Sequence, residues 1–284
     1  MNTFSKTILS WVVAGVVVAG TLIGCQDPDY ATPTPATGPR TSTARALFVN
    51  ASPNSPALNF LVENVSVAQS LTSGQSSSYV SVPTGNIQLR AKAATGAIGG
   101  TLGSNDILFR AGATNQNNFG AIAGTSYTVF VTDTIQRPVP TTPAGTSNPG
   151  GLQFLTVTDP LTQTLTAGAG GVRFFHLAPD LGLPASTTVT TPQVASLRLS
   201  SPTSSSVALA NRAYRNVTAN TFTSVPAGTY RVDVFTGATA PPTSSTIAPV
   251  ASTTVNVEAT KLYTLYARGL RRANTLSVGQ VQHN

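Results

Sequence analysis

One pattern occurs twice in this chain and restricts its fold more than any other feature. Ser78-Tyr79-Val80-Ser81-Val82-Pro83-Thr84-Gly85-Asn86-Ile87 is matched by Thr221-Phe222-Thr223-Ser224-Val225-Pro226-Ala227-Gly228-Thr229-Tyr230. In each copy Val-Pro-x-Gly is a turn, because Pro presets φ and Gly supplies a positive one. An alternating strand follows. It places Ile87, Leu89 and Ala91 inward in the first copy and Tyr230, Val232 and Val234 inward in the second. Arg231, Asp233 and Phe235 fall on the opposite face. A period of two marks a half-buried antiparallel strand.

The flanking segments repeat as well. Arg45-Ala46-Leu47-Phe48-Val49-Asn50-Ala51-Ser52-Pro53-Asn54 parallels Val172-Arg173-Phe174-Phe175-His176-Leu177-Ala178-Pro179-Asp180. Gly124-Thr125-Ser126-Tyr127-Thr128-Val129-Phe130 parallels Thr260-Lys261-Leu262-Tyr263-Thr264-Leu265-Tyr266, and a last strand closes each copy near 152–158 and 275–282. The run 127–131 is β-branched and aromatic throughout, which suits a central strand. Seven or eight short strands per copy, separated by turn signals, predict two tandem antiparallel β-sandwiches of Greek-key type. Their expected bounds are 44–160 and 172–284. Residues 161–171 read as a linker, with Ala167-Gly168-Ala169-Gly170-Gly171 flexible, and the Pro/Gly-rich stretch 137–151 reads as a long hairpin loop. Composition agrees. Charged residues are 9% of the chain, against about 25% in typical soluble proteins. Hydroxyl and amide residues, Gly and Pro take their place, and no helical period appears after the first 25 residues.

Residues 1–24 read as a signal peptide. Lys6 precedes an apolar run over 7–23, and Leu22-Ile23-Gly24-Cys25 follows. This order resembles the lipobox of bacterial lipoproteins, which implies acylation of Cys25 and a lipid bilayer as partner. The competing reading is a retained transmembrane helix, for which 17 residues is at the short edge. Gln26-Asp27-Pro28-Asp29 resembles the surface-export signal of Bacteroidota lipoproteins, although Pro28 interrupts the acidic pair. Residues 25–43 form a Pro/Thr-rich, extended tether. The expected location is therefore the outer membrane, lipid-anchored, facing the surface or the periplasm. Cys25 is the only Cys, so no disulfide supports the fold.

The Val-Arg-x-x-His-x-x-Pro-Asp opening of the second copy, with Val-Pro-Ala-Gly-Thr-Tyr, resembles the bacterial family called domain of unknown function 4397. The first copy is similar but divergent, with Asn50 in place of the His and Asn54 in place of the Asp. The resemblance spans about 45–158 and 172–282. It implies an immunoglobulin-like fold in exported proteins and no established activity.

Chemistry-bearing residues are sparse. His176 and His283 are the only His. His176 is expected to be partly buried beside Pro179, and His283 to lie in a disordered tail. No spacing suits zinc or a calcium loop, so neither metal nor cofactor is expected. Seven carboxylates follow the tether (Glu63, Asp106, Asp133, Asp159, Asp180, Asp233 and Glu258), and nothing singles out two as a glycosidase pair. No catalytic residue is assigned.

Charge is uneven. Residues 44–160 hold five Lys/Arg against four Asp/Glu; residues 171–284 hold nine against three. Two basic clusters, Arg212, Tyr214 and Arg215, then Arg268, Arg271 and Arg272, are candidate sites for an anionic glycan or an envelope protein. Nucleic acid is not expected. The bland alternative is solvated loops that keep a charge-poor protein soluble. Asp133-Thr134-Ile135 resembles the O-glycosylation site of Bacteroidota, which marks Thr134. The expected function is that of a non-catalytic, membrane-anchored binding module. The alternatives are a structural envelope component without a small ligand, or a hydrolase of envelope glycans.

Overall fold

The computed structural model describes residues 43–99, 106–109, 118–136, 151–181, 194–202, 204–241 and 246–284. The expected signal peptide, Cys25, the tether up to residue 42 and most of the 137–151 loop lie outside them. The chain from Ser42 to Asn284 forms one compact unit. It is all-β, with seventeen strands among the described residues.

In the N-terminal half these are β1 (Thr43–Asn50), β2 (Leu58–Val62), β3 (Val65–Leu71), β4 (Val80–Pro83), β5 (Gly85–Ala93), β6 (Asp106–Leu108), β7 (Asn118–Ala121), β8 (Ser126–Thr132) and β9 (Gln153–Asp159). The C-terminal half has β10 (Ala169–His176), β11 (Val194–Ser200), β12 (Val207–Ala213), β13 (Thr223–Pro226), β14 (Gly228–Thr236), β15 (Ala251–Val257), β16 (Leu262–Arg268) and β17 (Ser277–Gln282).

Each half builds two sheets in matching order. The first pair is β4-β1-β8-β9 and β3-β2-β5-β6; the second is β13-β10-β16-β17 and β12-β11-β14-β15. One long strand, β15, pairs along β14 from Gly228 to Val234. Its counterpart is split, so that β7 covers the start of β5 and β6 the end. One sheet of each pair is mixed rather than purely antiparallel, because β1 runs parallel to β8 and β10 parallel to β16. A strand that opens each half is thereby laid beside one near its end, so a long stretch of chain must be ordered before the pair closes.

The duplicated Val-Pro-x-Gly is a corner between sheets. β4 pairs with β1 in one sheet, while β5, beginning two residues later, pairs with β2 in the other. Gly85 takes φ 87° at that corner, a backbone conformation open to Gly at no steric cost.

The alternating residues do point inward. Ile87, Leu89 and Ala91 are buried in the N-terminal core with Phe48, Phe60 and Val129. Tyr230, Val232 and Val234 are buried in the C-terminal core with Phe174, Leu197 and Leu265. The opposite face of β14 is covered at its far end, while Arg231 stays exposed. Phe235 is buried beneath the Arg198 guanidinium at 4.9 Å, and Arg198 Nη1 donates to the Pro241 carbonyl at 2.7 Å.

A third core joins the halves. Leu47, Val49, Ala51, Phe130 and Val157 from β1, β8, β9 and the turn after β1 meet Phe175, Leu177, Tyr266 and Val281. Phe130 packs edge-on to Tyr266 at 5.5 Å and to Phe175 at 6.3 Å. The sheets β4-β1-β8-β9 and β13-β10-β16-β17 are therefore buried on both faces. This explains why β1 and β8 are apolar on successive residues rather than alternate ones.

The expected linker is shorter than its composition suggests. β10 already begins at Ala169, whose register partner is Pro226. Gly170 and Gly171 are buried strand residues, small because neighbours approach closely. A Cβ on Gly170 would lie 2.5 Å from the Glu258 carbonyl oxygen, and one on Gly171 would lie 2.6 Å from Leu262 Cδ2. Gly170→Ala is expected to lower stability by about 1–3 kcal/mol through overpacking. Gly120→Ala, whose Cβ would meet nothing closer than Asn86 Oδ1 at 4.0 Å, should leave the denaturant midpoint nearly unchanged. Equal midpoints for the two variants would contradict the close-approach reading.

Candidate functional site

Where the halves meet, a set of polar side chains is sealed inside. Arg173 and Asp159 form an ion pair with both side chains wholly buried. Arg173 also donates from Nε to Thr264 Oγ1 at 2.7 Å and from Nη1 to the carbonyls of Asn220 and Thr158. Its guanidinium lies over the rings of Phe222 at 4.6 Å and Phe175 at 5.0 Å. Asp159 Oδ2 accepts from Tyr79 at 2.7 Å and from Thr128 at 2.8 Å.

His283 completes the set. Its Nδ1 is 2.7 Å from the Tyr79 hydroxyl, and its Nε2 is 2.6 Å from Thr264 Oγ1. The sequence placed His283 in a disordered tail; it is instead buried. Its backbone N–H extends the sheet by donating to the Leu262 carbonyl, and its ring fills the space between Tyr79 and Phe222.

The directions of these bonds follow from valence. Tyr79 gives its proton to Asp159, so its oxygen accepts from His283 Nδ1–H. Nε2 is then an acceptor and receives the Thr264 hydroxyl, whose oxygen in turn accepts from Arg173 Nε. The bonds close into a ring running Arg173, Thr264, His283, Tyr79, Asp159 and back to Arg173. Burial, then the nearby Arg173 charge, pushes His283 down to about 3, so the ring holds a neutral imidazole. Burial raises Asp159, with the Arg173 guanidinium opposing. Burial, followed by the Asp159 charge, raises Tyr79. Thr264, His283 and Asp159 are the residue types of a nucleophile, base and carboxylate. They have no surface from which a substrate could reach them, and their bonding capacity is used in joining the halves.

The open polar site is on the β16–β17 hairpin. Its loop, 269–276, turns at Gly269 with φ 100°, where a Cβ would sit 2.1 Å from the Thr275 carbonyl oxygen. Asp180, itself buried, fixes the loop from below. Its Oδ1 accepts from the Arg271 backbone N–H at 2.7 Å and its Oδ2 from that of Arg272 at 3.1 Å. The Arg272 side chain stands 3.6 Å from Asp180 and is 45% exposed. Arg271 Nη1 donates to the Leu181 carbonyl at 3.4 Å. Beside the loop is a cleft of about 290 Å³ lined by Ala248, Pro249, Val250, Arg271, Asn274 and Leu276.

The first half performs the same operation with neutral groups. Asn54 Oδ1 accepts from the Ile135 backbone N–H at 3.1 Å in the β8–β9 loop. The departure of Asn54 from Asp thus keeps the loop-holding task and drops the charge. Asn50, which stands where the second copy has His176, donates to the carbonyls of Leu71 and Pro56.

The other basic residues have other work. Arg215 crosses to the N-terminal half, where it bonds the Gln153 side chain and the Phe154 carbonyl. Arg268 crosses at another point and donates to Ser73 Oγ at 2.9 Å. Its guanidinium lies against Gly74, where a Cβ would be 2.5 Å away. Tyr214 packs edge-on to His176 at 5.5 Å; that His is buried fully rather than partly. Arg212 is half-buried, and desolvation lowers its pKa. Of the six residues marked in the sequence, Arg271 and Arg272 are the two on the open loop. Thr134 is half-exposed in the turn after β8, and its N–H donates to Asp133 Oδ1. Four of the carboxylates, Asp106, Asp159, Asp180 and Asp233, are each paired with an Arg. Among the described residues no three His, Cys, Asp or Glu side chains converge to hold a metal ion.

An all-β protein of paired antiparallel and mixed sheets, with a charged hairpin loop left open among the described residues, is what the fold and this site define. Residues 44–183 match the family described as a domain of unknown function, DUF4397. The match covers the N-terminal half and continues through β10 to Asp180, so it includes Arg173, His176 and the loop-holding Asp180. No curated protein matches the chain.

The sealed ring has a measurable pH signature. His283 ordinarily titrates near 6.5 and is depressed in the fold, so its contribution is complete above that pH and is lost as pH falls toward 3. The expected slope is roughly 1.4 kcal/mol per pH unit. Asp159, shifted upward, works against it over the acid part of that window. His283→Gln should be less stable at pH 7 and flatter between pH 6.5 and 4 by urea unfolding. Equal slopes in the two proteins would refute the neutral buried imidazole.

Proposed function

We propose that this protein is a non-catalytic binding module of the cell envelope, held on a membrane by acyl chains at Cys25. In this reading its halves are two immunoglobulin-like copies of one module, and the copy with the charged loop engages an anionic envelope component. The observation that carries the proposal is the state of Arg271 and Arg272. A buried carboxylate spends both oxygens on their backbone, which leaves two guanidiniums on a fixed, exposed loop with one acid between them. A loop present only for solubility has no need of a buried Asp beneath it. The sealing of Thr264, His283 and Asp159 supports the non-catalytic part.

The third core favours a second reading, in which the protein is a stiff structural element of an envelope assembly. Fusion of the halves through two sheets suits a spacer as well as a receptor.

Binding of the purified protein to lipopolysaccharide or an acidic glycan separates the two. Saturable binding that the double variant Arg271→Ala/Arg272→Ala weakens at least about tenfold, with an unchanged unfolding midpoint, is expected from loss of two charge-assisted contacts. Identical isotherms for variant and parent would reject the loop as the site. The anchor is tested by intact mass of protein extracted from membranes. A chain beginning at Cys25 with added acyl mass, absent from Cys25→Ala, is expected, and retention of residues 1–24 without lipid would rule it out.

A further inference from the structure

The cleft beside the basic loop is more selective than the loop's charge alone. It lies at one end of the C-terminal half, where β15 and β17, the edge strands of its two sheets, begin. One wall is Arg271 with Asn274; Ala248, Pro249, Val250 and Leu276 form the rest, which shows polar atoms to the cleft as well as aliphatic carbons. The neighbouring Ile247 is 62% exposed, so the apolar surface extends past the lip. No aromatic ring is among the lining residues, which removes the stacking platform a sugar ring would use.

We propose, building on the binding role above, that this cleft takes a small carboxylate with an aliphatic body. The Arg271 guanidinium would hold the carboxylate in a two-pronged bond, for which its planar fork is suited. Among the described residues Asp180 is committed to backbone N–H groups and to Arg272, and the Arg271 side chain makes one long bond to a carbonyl. Asn274 offers an amide beside the anion. The aliphatic body would lie on Pro249, Val250 and Leu276, where its burial releases water. The volume, about 290 Å³, corresponds to on the order of ten waters at about 30 Å³ each. It accommodates a short fatty acid or the last residue of a peptide chain with an aliphatic side chain. Both sources share the same chemistry.

Calorimetric titration of the protein with hexanoate, N-acetyl-leucine, hexanol and inorganic phosphate tests this. Hexanoate or N-acetyl-leucine is expected to saturate with Kd on the order of 1 mM, with hexanol and phosphate at least about tenfold weaker. N-acetyl-leucine tighter than hexanoate would mark a peptide end as the source, and the reverse would mark a fatty acid. Arg271→Gln should abolish either, and Arg271→Lys should weaken it. This side chain projects from an exposed loop whose backbone bonds to Asp180 are kept, so folding is not at issue. Phosphate binding as well as hexanoate, or hexanoate unaffected by Arg271→Gln, would overturn the proposal. If an acidic glycan binds through Arg271 and Arg272 while neither carboxylate saturates, the envelope-binding role stands and this inference fails.

Discussion

The buried pair of Arg173 and Asp159 constrains the rest of the molecule. A guanidinium and a carboxylate withdrawn from water together lose several kcal/mol of solvation each, which their attraction offsets only if the remaining donors and acceptors are also satisfied. Here Thr264, Thr128, Tyr79, His283 and two backbone carbonyls supply that satisfaction. Asp159 belongs to the last strand of one half and Arg173 to the first strand of the other. Sliding or rotating the halves would strand a charge in an apolar core. Hydrophobic packing of Phe130, Phe175 and Tyr266 supplies attraction without direction, and the ion pair supplies the register.

Much of this architecture was legible in the residues. The period of two after each Val-Pro-x-Gly placed Ile87, Leu89, Tyr230 and Val232 correctly in their cores, and the run 127–131 lies between two other strands as expected. The parallel pairings were not legible, because side-chain alternation is blind to the direction of the neighbouring strand. Gly170 and Gly171 misled for a physical reason: Gly is favoured both where a chain must bend and where another chain comes too close for a Cβ, and composition does not separate these. The third core did leave a signal. Leu47-Phe48-Val49 and Phe174-Phe175 are apolar on successive residues, which means burial on both faces. His283 left none, since its partners Tyr79 and Thr264 are distant in sequence.

The candidate site was legible in part. Arg271 and Arg272 are visible as a basic run, and so are Arg268, Arg212 and Arg215. Nothing in the run tells that Arg268 and Arg215 cross to the other half while Arg271 faces a cleft. Asp180 is informative only beside Asn54. The two residues occupy matching positions and do the same job for matching loops, and the exchange of an amide for a carboxylate shows that holding the loop does not require charge. The charge at Asp180 is matched to the Arg272 guanidinium, 3.6 Å away.

The corner at Val82-Pro83-Thr84-Gly85 has a consequence for turnover. Each half passes its chain between sheets within a couple of residues, and its opening strand, β1 or β10, is held between two others, so neither opening strand can peel away alone. Because the halves also share a sealed polar joint, opening one exposes the other's unpaired ion. A protease acts on segments that have come loose, and loosening one of these central strands requires much of both halves to let go at once. Connectivity and the shared polar joint thus tie the opening of one half to that of the other, in a chain whose single Cys can form no internal disulfide.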